Sequence, residues 1–376
     1  MNFDALAGTI DEAVGRGAFP GAVVLVSRAG EVVYHQAFGC RSLIPDRTPM
    51  ATTTVFDLSS LTKPLATTTA LLLLLREGRI RLDDRVTRFL PNFGTNGKNA
   101  MTLRSLLAHC SGFGAHRPFF KEVARAERTG RTNFMSSHGA KDWVYELIGR
   151  ERVDYPPLTQ SLYSDLGFIV LGQIIELLAH TSLDRFCHDR IFRPLGLRST
   201  AFIDLAQLRL RKLATVSSAI APTEKCPWRE RILCGEVHDD NCFAMGGVAG
   251  HAGLFSTAAD VHALVSTLEA CARGDHDFVP AALLQEFWRR DGKVPDSTWA
   301  LGWDTPSPTG YTSAGTHMSR DAVGHLGFTG TSVWLDPTRQ AHVIFLTNRV
   351  HPSRSNEQIR EVRPRVHDAA LEALDR

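Results

Sequence analysis

Lysine is scarce in this chain, which has 7 lysines against 35 arginines among 42 cationic side chains, and a formal net charge of only +2. The arginines are scattered, so there is no basic field to hold a polyanion and nucleic acid is not expected as a partner. No apolar run approaches the roughly 20 residues that cross a bilayer. The longest, residues 65–75, is too short, and no membrane partner is expected. The N-terminal Met1-Asn2-Phe3-Asp4-Ala5-Leu6-Ala7 carries an acid early and lacks a basic segment followed by an apolar stretch. A cytoplasmic location is therefore expected.

Other absences narrow the chemistry. Seven cysteines are an odd number in a long chain, and none is spaced Cys-x-x-Cys, which predicts reduced thiols rather than a disulfide framework. Cys226, Cys234 and Cys242 recur every eight residues near His238, Asp239 and Asp240, but without zinc-type spacing. No metal or other cofactor is expected. The Gly-x-Ser-x-Gly elbow of α/β-hydrolases does not occur. The glycine-rich stretch Gly246-Gly247-Val248-Ala249-Gly250-His251-Ala252-Gly253 matches neither a P-loop nor a dinucleotide fingerprint, and predicts a close backbone approach beside a pocket.

With 376 residues, 43% of them hydrophobic, the chain exceeds one ordinary domain. Residues 3–16 place Phe3, Leu6, Ile10 and Val14 on one helical face. The β-branched run 21–27, a turn at Arg28-Ala29-Gly30 and residues 31–38 predict an antiparallel hairpin. Helices are predicted over 101–109, 141–148, 166–178 and 183–192, with a long polar loop over 111–140 and an irregular segment over 221–253. Ser256 or Thr257 caps a helix over 258–271. Strands return at 323–325, 332–335 and 341–346, the last two joined at Asp336-Pro337-Thr338, before a closing helix over 357–374. Strands at both ends with helices between them predict an α/β domain built from residues 1–62 and 250–376, with a mainly helical domain, 63–249, inserted.

The stretch Phe56-Asp57-Leu58-Ser59-Ser60-Leu61-Thr62-Lys63-Pro64 brings a serine pair to a helix start. Ser60 and Lys63, three residues apart, share one helical face. A serine hydroxyl needs a group to take its proton, and a lysine can do so only if burial or nearby charge lowers its pKa. The free N–H groups of a helix start and the leucines at 71–75 supply such an environment. A lone Ser-x-x-Lys is weak evidence, since either serine could simply cap a buried helix. Tyr163-Ser164-Asp165 precedes the 166–178 helix, where Asp165 could be an N-cap and Tyr163 a buried, hydrogen-bonded tyrosine. His325-Leu326-Gly327-Phe328-Thr329-Gly330-Thr331 lies on a terminal strand.

In this order and spacing the three segments resemble the serine β-lactamase and penicillin-binding protein family, in its class C-like branch that includes esterases and D-aminopeptidases. Ser60-Leu61-Thr62-Lys63 corresponds to the family's Ser-x-x-Lys, Tyr163-Ser164-Asp165 to Tyr-x-Asn, and His325-Leu326-Gly327 to Lys-Thr-Gly. Further similarity in residues 250–257 and 347–352 extends it over nearly the whole chain. The resemblance implies an antiparallel sheet flanked by helices, a helical insertion domain, and an active site in the cleft between them. It also implies that Ser60 attacks an acyl carbonyl, that Lys63 and Tyr163 carry its proton, and that the N–H groups of Ser60 and Phe328 hold the oxyanion, with Asp165, His325 and Gly327 lining the substrate site.

Two departures bear on substrate. Asp165 replaces an amide with a group that only accepts when ionised, and His325 replaces a permanent cation with a ring mostly neutral at pH 7. Both remove donors or positive charge where a substrate carboxylate would sit. The expected function is hydrolysis of small esters or amides through an acyl-enzyme. The alternatives are a peptidase for D-amino-acid or muropeptide-like substrates, a β-lactamase, and a non-catalytic binding relative. The expected partner is a small acyl substrate, and oligomeric state is not legible in the sequence.

Overall fold

A computed structural model describes residues 1–214 and 218–376. In chain order, α1 (Asp4–Gly15) leads into β1 (Gly21–Arg28) and β2 (Glu31–Ser42), with short strands β3 (Thr48–Pro49) and β4 (Phe56–Asp57) after them. A 3-10 turn (Ser59–Leu61) and a π-helical stretch (Lys63–Thr68) run into α2 (Thr69–Arg76). The helical part continues with α3 (Leu103–Leu107), α4 (Phe119–Arg128), α5 (His138–Arg150), α6 (Asp165–Ala179) and α7 (Leu183–Cys187). It goes on through β5 (Ala201–Phe202), α8 (Leu205–Leu210), β6 (Lys225–Cys226), β7 (Arg231–Ile232) and α9 (Asp240–Ala244). Last come β8 (Leu254–Ser256), α10 (Ala258–Arg273), α11 (Ala281–Trp288), β9 (Val323–Leu326), β10 (Ser332–Asp336), β11 (Ala341–Thr347) and α12 (Ile359–Asp375).

The main sheet is antiparallel with the order β3-β2-β1-β11-β10-β9, so N-terminal and C-terminal strands meet where β1 pairs with β11, Val24 opposite Phe345. Both faces of β1 are buried, which is why it reads as an unbroken Val/Leu run rather than an alternation. Val24 and Val26 join Leu6, Ile10, Phe345, Val366 and Leu371 in a core under α1 and α12. Val23 and Leu25 face the other way, into a larger core that runs through α10 and on into α2 and α6. A second small sheet, β4-β8-β5, ties the strand before Ser59 to the segment after the glycine-rich run.

Two expectations need correction. Residues 111–140 are not all loop, because α4 lies among them with Phe119 and Val123 buried, and the polar residues that suggested a loop form its outer face. The segment 221–253 contains α9, started by the Asp239 carboxylate accepting from Cys242 N–H at 2.7 Å. The Thr257 cap is present, its hydroxyl accepting from Asp260 N–H at 3.2 Å. No single helix among the described residues is long and apolar enough to cross a membrane.

Candidate active site

The nucleophile turn is held from three sides. Asp57 Oδ1 accepts Ser59 N–H at 2.8 Å, Thr329 Oγ1 donates to Asp57 O at 2.7 Å, and Thr331 Oγ1 donates to Leu58 O at 3.1 Å. Ser59 takes φ +51°, a left-handed conformation uncommon outside glycine, and its side chain is buried while Ser60 is only half-buried. The serine pair thus divides. Ser59 Oγ accepts the Phe328 N–H at 3.2 Å, whereas Ser60 Oγ lies 3.0 Å from Lys63 Nζ. The Phe328 N–H, expected to be open for an oxyanion, therefore carries a hydroxyl ligand from Ser59. Gly327 is required by closeness, because a Cβ there would lie 2.0 Å from Thr331 Oγ1 and 2.5 Å from Leu58 O.

Lys63 is fully buried on the turn that follows. Its Nζ lies 2.5 Å from Tyr163 OH, 2.8 Å from Asp165 Oδ1 and 3.2 Å from His251 O as well as near Ser60. Four oxygens surround a group with three protons, so the ammonium form leaves one contact unserved. A neutral lysine could instead accept a hydroxyl proton there. Burial alone would lower the lysine pKa, but the charge of Asp165 and the Tyr163 hydroxyl outweigh it and the net direction is upward. Burial likewise raises the Tyr163 pKa, opposed by Lys63. Asp165 is not the N-cap its position suggested, since α6 has no side-chain cap and the carboxylate turns to Lys63. Its other oxygen faces His116 Nδ1 at 3.7 Å, a half-exposed histidine whose pKa that contact raises.

The glycine-rich run delivers the carbonyls of Gly250 and His251 to Thr67 and Lys63. A Cβ on Gly250 would lie 2.0 Å from Phe168 O, so α6 and this loop approach backbone to backbone. His109 packs between Tyr163 and Trp299 at 4.7 and 4.4 Å, and its Nδ1 accepts the Ser164 N–H at 3.0 Å, which seats the Tyr163 segment. His325 packs against Tyr163 and Trp299, and its Nδ1 lies 2.8 Å from Leu326 O. Nδ1 thus carries the proton, and the unpartnered Nε2 is an acceptor. Burial, then the nearby Lys63 charge, lower its pKa to about 3, so this ring is neutral.

Ser60, Tyr163, Asp165, His325, Gly327 and Phe328 line one cleft of about 680 Å³. Cavities of about 310 and 670 Å³ elsewhere are lined by no serine, cysteine or lysine. Among the described residues no group of three or more His, Cys, Asp or Glu is arranged to hold a metal ion. His238 instead pairs with Glu224 at 3.3 Å.

One wall of the cleft was not legible in the sequence. Arg349, Arg354, Arg360 and Arg363 all line it. Arg349 and Arg354 are engaged, the first with the carbonyls of Phe328 and Asn356 and the second with Glu224 and Asp240. Arg363 is 5% exposed, and among the described residues it donates only to the carbonyls of Gly327 and Thr331 and leaves Nε buried without a partner. With no carboxylate bonded to it among the described residues, burial lowers its pKa to about 10. Positive charge that His325 does not supply is thus present on another wall of the cleft. The cation comes from α12 rather than from the strand that carries His325, and only the density of arginines over 349–365 hinted at it.

Fold and cleft together define a serine hydrolase. The model of the family described as Beta-lactamase matches residues 6–366, and the chain belongs to that family. It is 31% identical over 360 residues, 90% of this chain and 81% of the relative, to the "Putative D-alanyl-D-alanine carboxypeptidase" of Escherichia coli (strain K12). Among solved structures it is similar to EstCE1, a hydrolase with promiscuous acyltransferase activity, with a TM-score of 0.73 at 22% identity over 97% of each chain. It is also similar to an octameric penicillin-binding protein homologue from Pyrococcus abyssi, with a TM-score of 0.73 at 22% identity over 99% of this chain and 78% of that one.

Proposed function

We propose that this protein hydrolyses small esters or amides through an acyl-enzyme on Ser60. The observation that carries the reading is the single Lys63 Nζ within hydrogen-bond distance of both Ser60 Oγ and Tyr163 OH beside an open cleft. The Ser60 proton passes to the Lys63–Tyr163 pair as Oγ bonds to the carbonyl carbon, and returns to the leaving group. The two groups titrate as a unit, and because the direction is upward at both Lys63 and Tyr163 the proton is assigned to the pair rather than to either group. The Ser60 and Phe328 N–H groups hold the oxyanion once Ser59 Oγ yields its place, with Asp165, His325 and Gly327 around the acyl group. Buried thiols such as Cys110 and Cys187 fit a reducing cytoplasm. The partner is a small acyl compound rather than nucleic acid or membrane. Reaction with a fluorophosphonate probe followed by peptide mapping tests the assignment. An adduct at Ser60 that disappears in Ser60→Ala supports it, and an adduct on Ser59 sinks it.

A second reading, a peptidase for substrates that end in a carboxylate, is favoured by the uncompensated Arg363 beside the exposed Arg360. It agrees with the carboxypeptidase name of the bacterial relatives. The same enzyme assayed on matched amides with and without a terminal carboxylate separates the two.

A further inference from the structure

A second histidine in the cleft, His238, has no part in the chemistry described for Ser60, Lys63 and Tyr163. Its Nε2 lies 3.3 Å from Glu224 Oε2, with both side chains buried. Arg354 Nε donates to the same oxygen at 2.6 Å. Burial alone would raise the Glu224 pKa, but hydrogen bonds from His238 and Arg354 bring it down to about 2, so Glu224 is a carboxylate and can only accept. In the neutral ring the His238 proton therefore sits on Nε2 and the lone pair on Nδ1. No described residue bonds to Nδ1, and His238 lines the same cleft as Ser60.

The backbone couples this ring to the nucleophile turn. His238 N–H donates to Asp57 Oδ2 at 2.7 Å, and Oδ1 of that carboxylate takes the Ser59 N–H. The ring also lies nearly parallel to Phe328, at 5.6 Å and 21°. A carboxylate behind an imidazole, with the far nitrogen free in a cleft, is the arrangement that activates a hydroxyl. The charged neighbours on the elements around it are Asp57, Glu224, Arg229, Asp239, Asp240 and Arg354.

We propose that His238, oriented by Glu224, is the general base for the acyl acceptor in the second half of the reaction. The inference rests on the acyl-enzyme reading above. As water or an alcohol oxygen bonds to the acyl carbon, Nδ1 takes its proton. The bond from that carbon to Ser60 Oγ then breaks, and Oγ takes a proton from the Lys63–Tyr163 pair. His238 gives its proton to solvent and the pair regains one from solvent, so the cycle balances. Two separate proton carriers at one cleft let one act as acid while the other acts as base.

The test separates the half-reactions with p-nitrophenyl acetate, following nitrophenol release for acylation and the intact mass of the Ser60 adduct for deacylation. In His238→Asn, acylation should stay within about threefold of wild type while deacylation slows about 100-fold, the scale of a lost general base. Hydroxylamine, which attacks without first losing a proton, should restore adduct breakdown to within about tenfold of wild type. Glu224→Gln should slow deacylation by about tenfold, and it carries the test if His238→Asn does not fold. Equal losses in both half-reactions, unchanged deacylation, or no recovery with hydroxylamine each overturn the proposal. If wild type forms no adduct at Ser60, the hydrolase reading fails first and by a different signal.

Discussion

Three cations are buried in the walls of the cleft, Lys63, Arg349 and Arg363, and among the described residues only Lys63 has a carboxylate in ion-pair contact. Lys63 sits 2.8 Å from Asp165, and each holds the other ionised. Among the described residues Arg363 has only carbonyl oxygens, and both of these have other donors, since Gly327 O accepts Gly330 N–H and Thr331 O accepts Gly327 N–H. The lysine wall is closed electrostatically, and in the proposed mechanism it moves protons internally. The arginine wall is open, and an anion arriving with substrate would meet a cation already stripped of water, where attraction is strongest. The contrast shows how a site can lose the strand lysine expected of its relatives and still retain a place for negative charge.

The largest effect that tests this contrast is on chemistry. Lys63→Ala and Tyr163→Phe should each lower kcat by at least about 100-fold, and the double variant should lose less than the product, because the groups act as one proton-transfer unit. Full activity in Tyr163→Phe would leave Lys63 or water as the acceptor and dissolve the closed wall.

Stability should respond with unequal magnitude on the two walls. Asp165→Asn leaves a buried ammonium unpaired and should cost about 3 kcal/mol at pH 7 by denaturant titration. The cost should shrink at alkaline pH, where Lys63 can shed its proton. Arg363→Met removes a cation that was never paired and should change stability by less than about 1 kcal/mol, in either direction. Equal losses would show that Arg363 is structurally compensated.

Substrate charge should follow the open wall. Arg363→Met is expected to raise KM about tenfold for a carboxylate-bearing amide while leaving an uncharged ester unaffected, a difference of about 1.4 kcal/mol. If both substrates weaken alike, Arg363 only supports the strand at Gly327.

A further effect lies in the pH dependence of folding. His325 is held at about 3 in the folded state against about 6.5 unfolded. The unfolded chain therefore binds more protons between those values, and stability must fall on acidification through that window, by up to about 1.4 kcal/mol per pH unit for this group. His325→Gln should remove one proton from the slope of unfolding free energy between pH 4 and 6. An unchanged slope would place a charged imidazole beside Lys63 and narrow the difference between the walls.

How much of this was legible follows from the range of each signal. The hairpin of β1 and β2, the last two strands, and the helices at both ends show in local periodicity, and Ser60 with Lys63 shows because three residues on a helical turn already set their geometry. The Tyr163 and His325 segments carried recognisable residues, but Asp165 read equally as a helix cap or as a site residue, because an acid at a helix start serves either role, and its contact with Lys63 decides between them. The sequence by itself therefore determined the antiparallel sheet, the serine and lysine pair and the family. Tertiary structure alone decided that Ser59 occupies the Phe328 amide, that Asp165 faces Lys63 across 102 positions, that His238 meets Glu224, and that Arg363 is buried without a carboxylate. The reason is physical. Burial and charge pairing depend on which distant groups share a dry volume, and no local pattern records that.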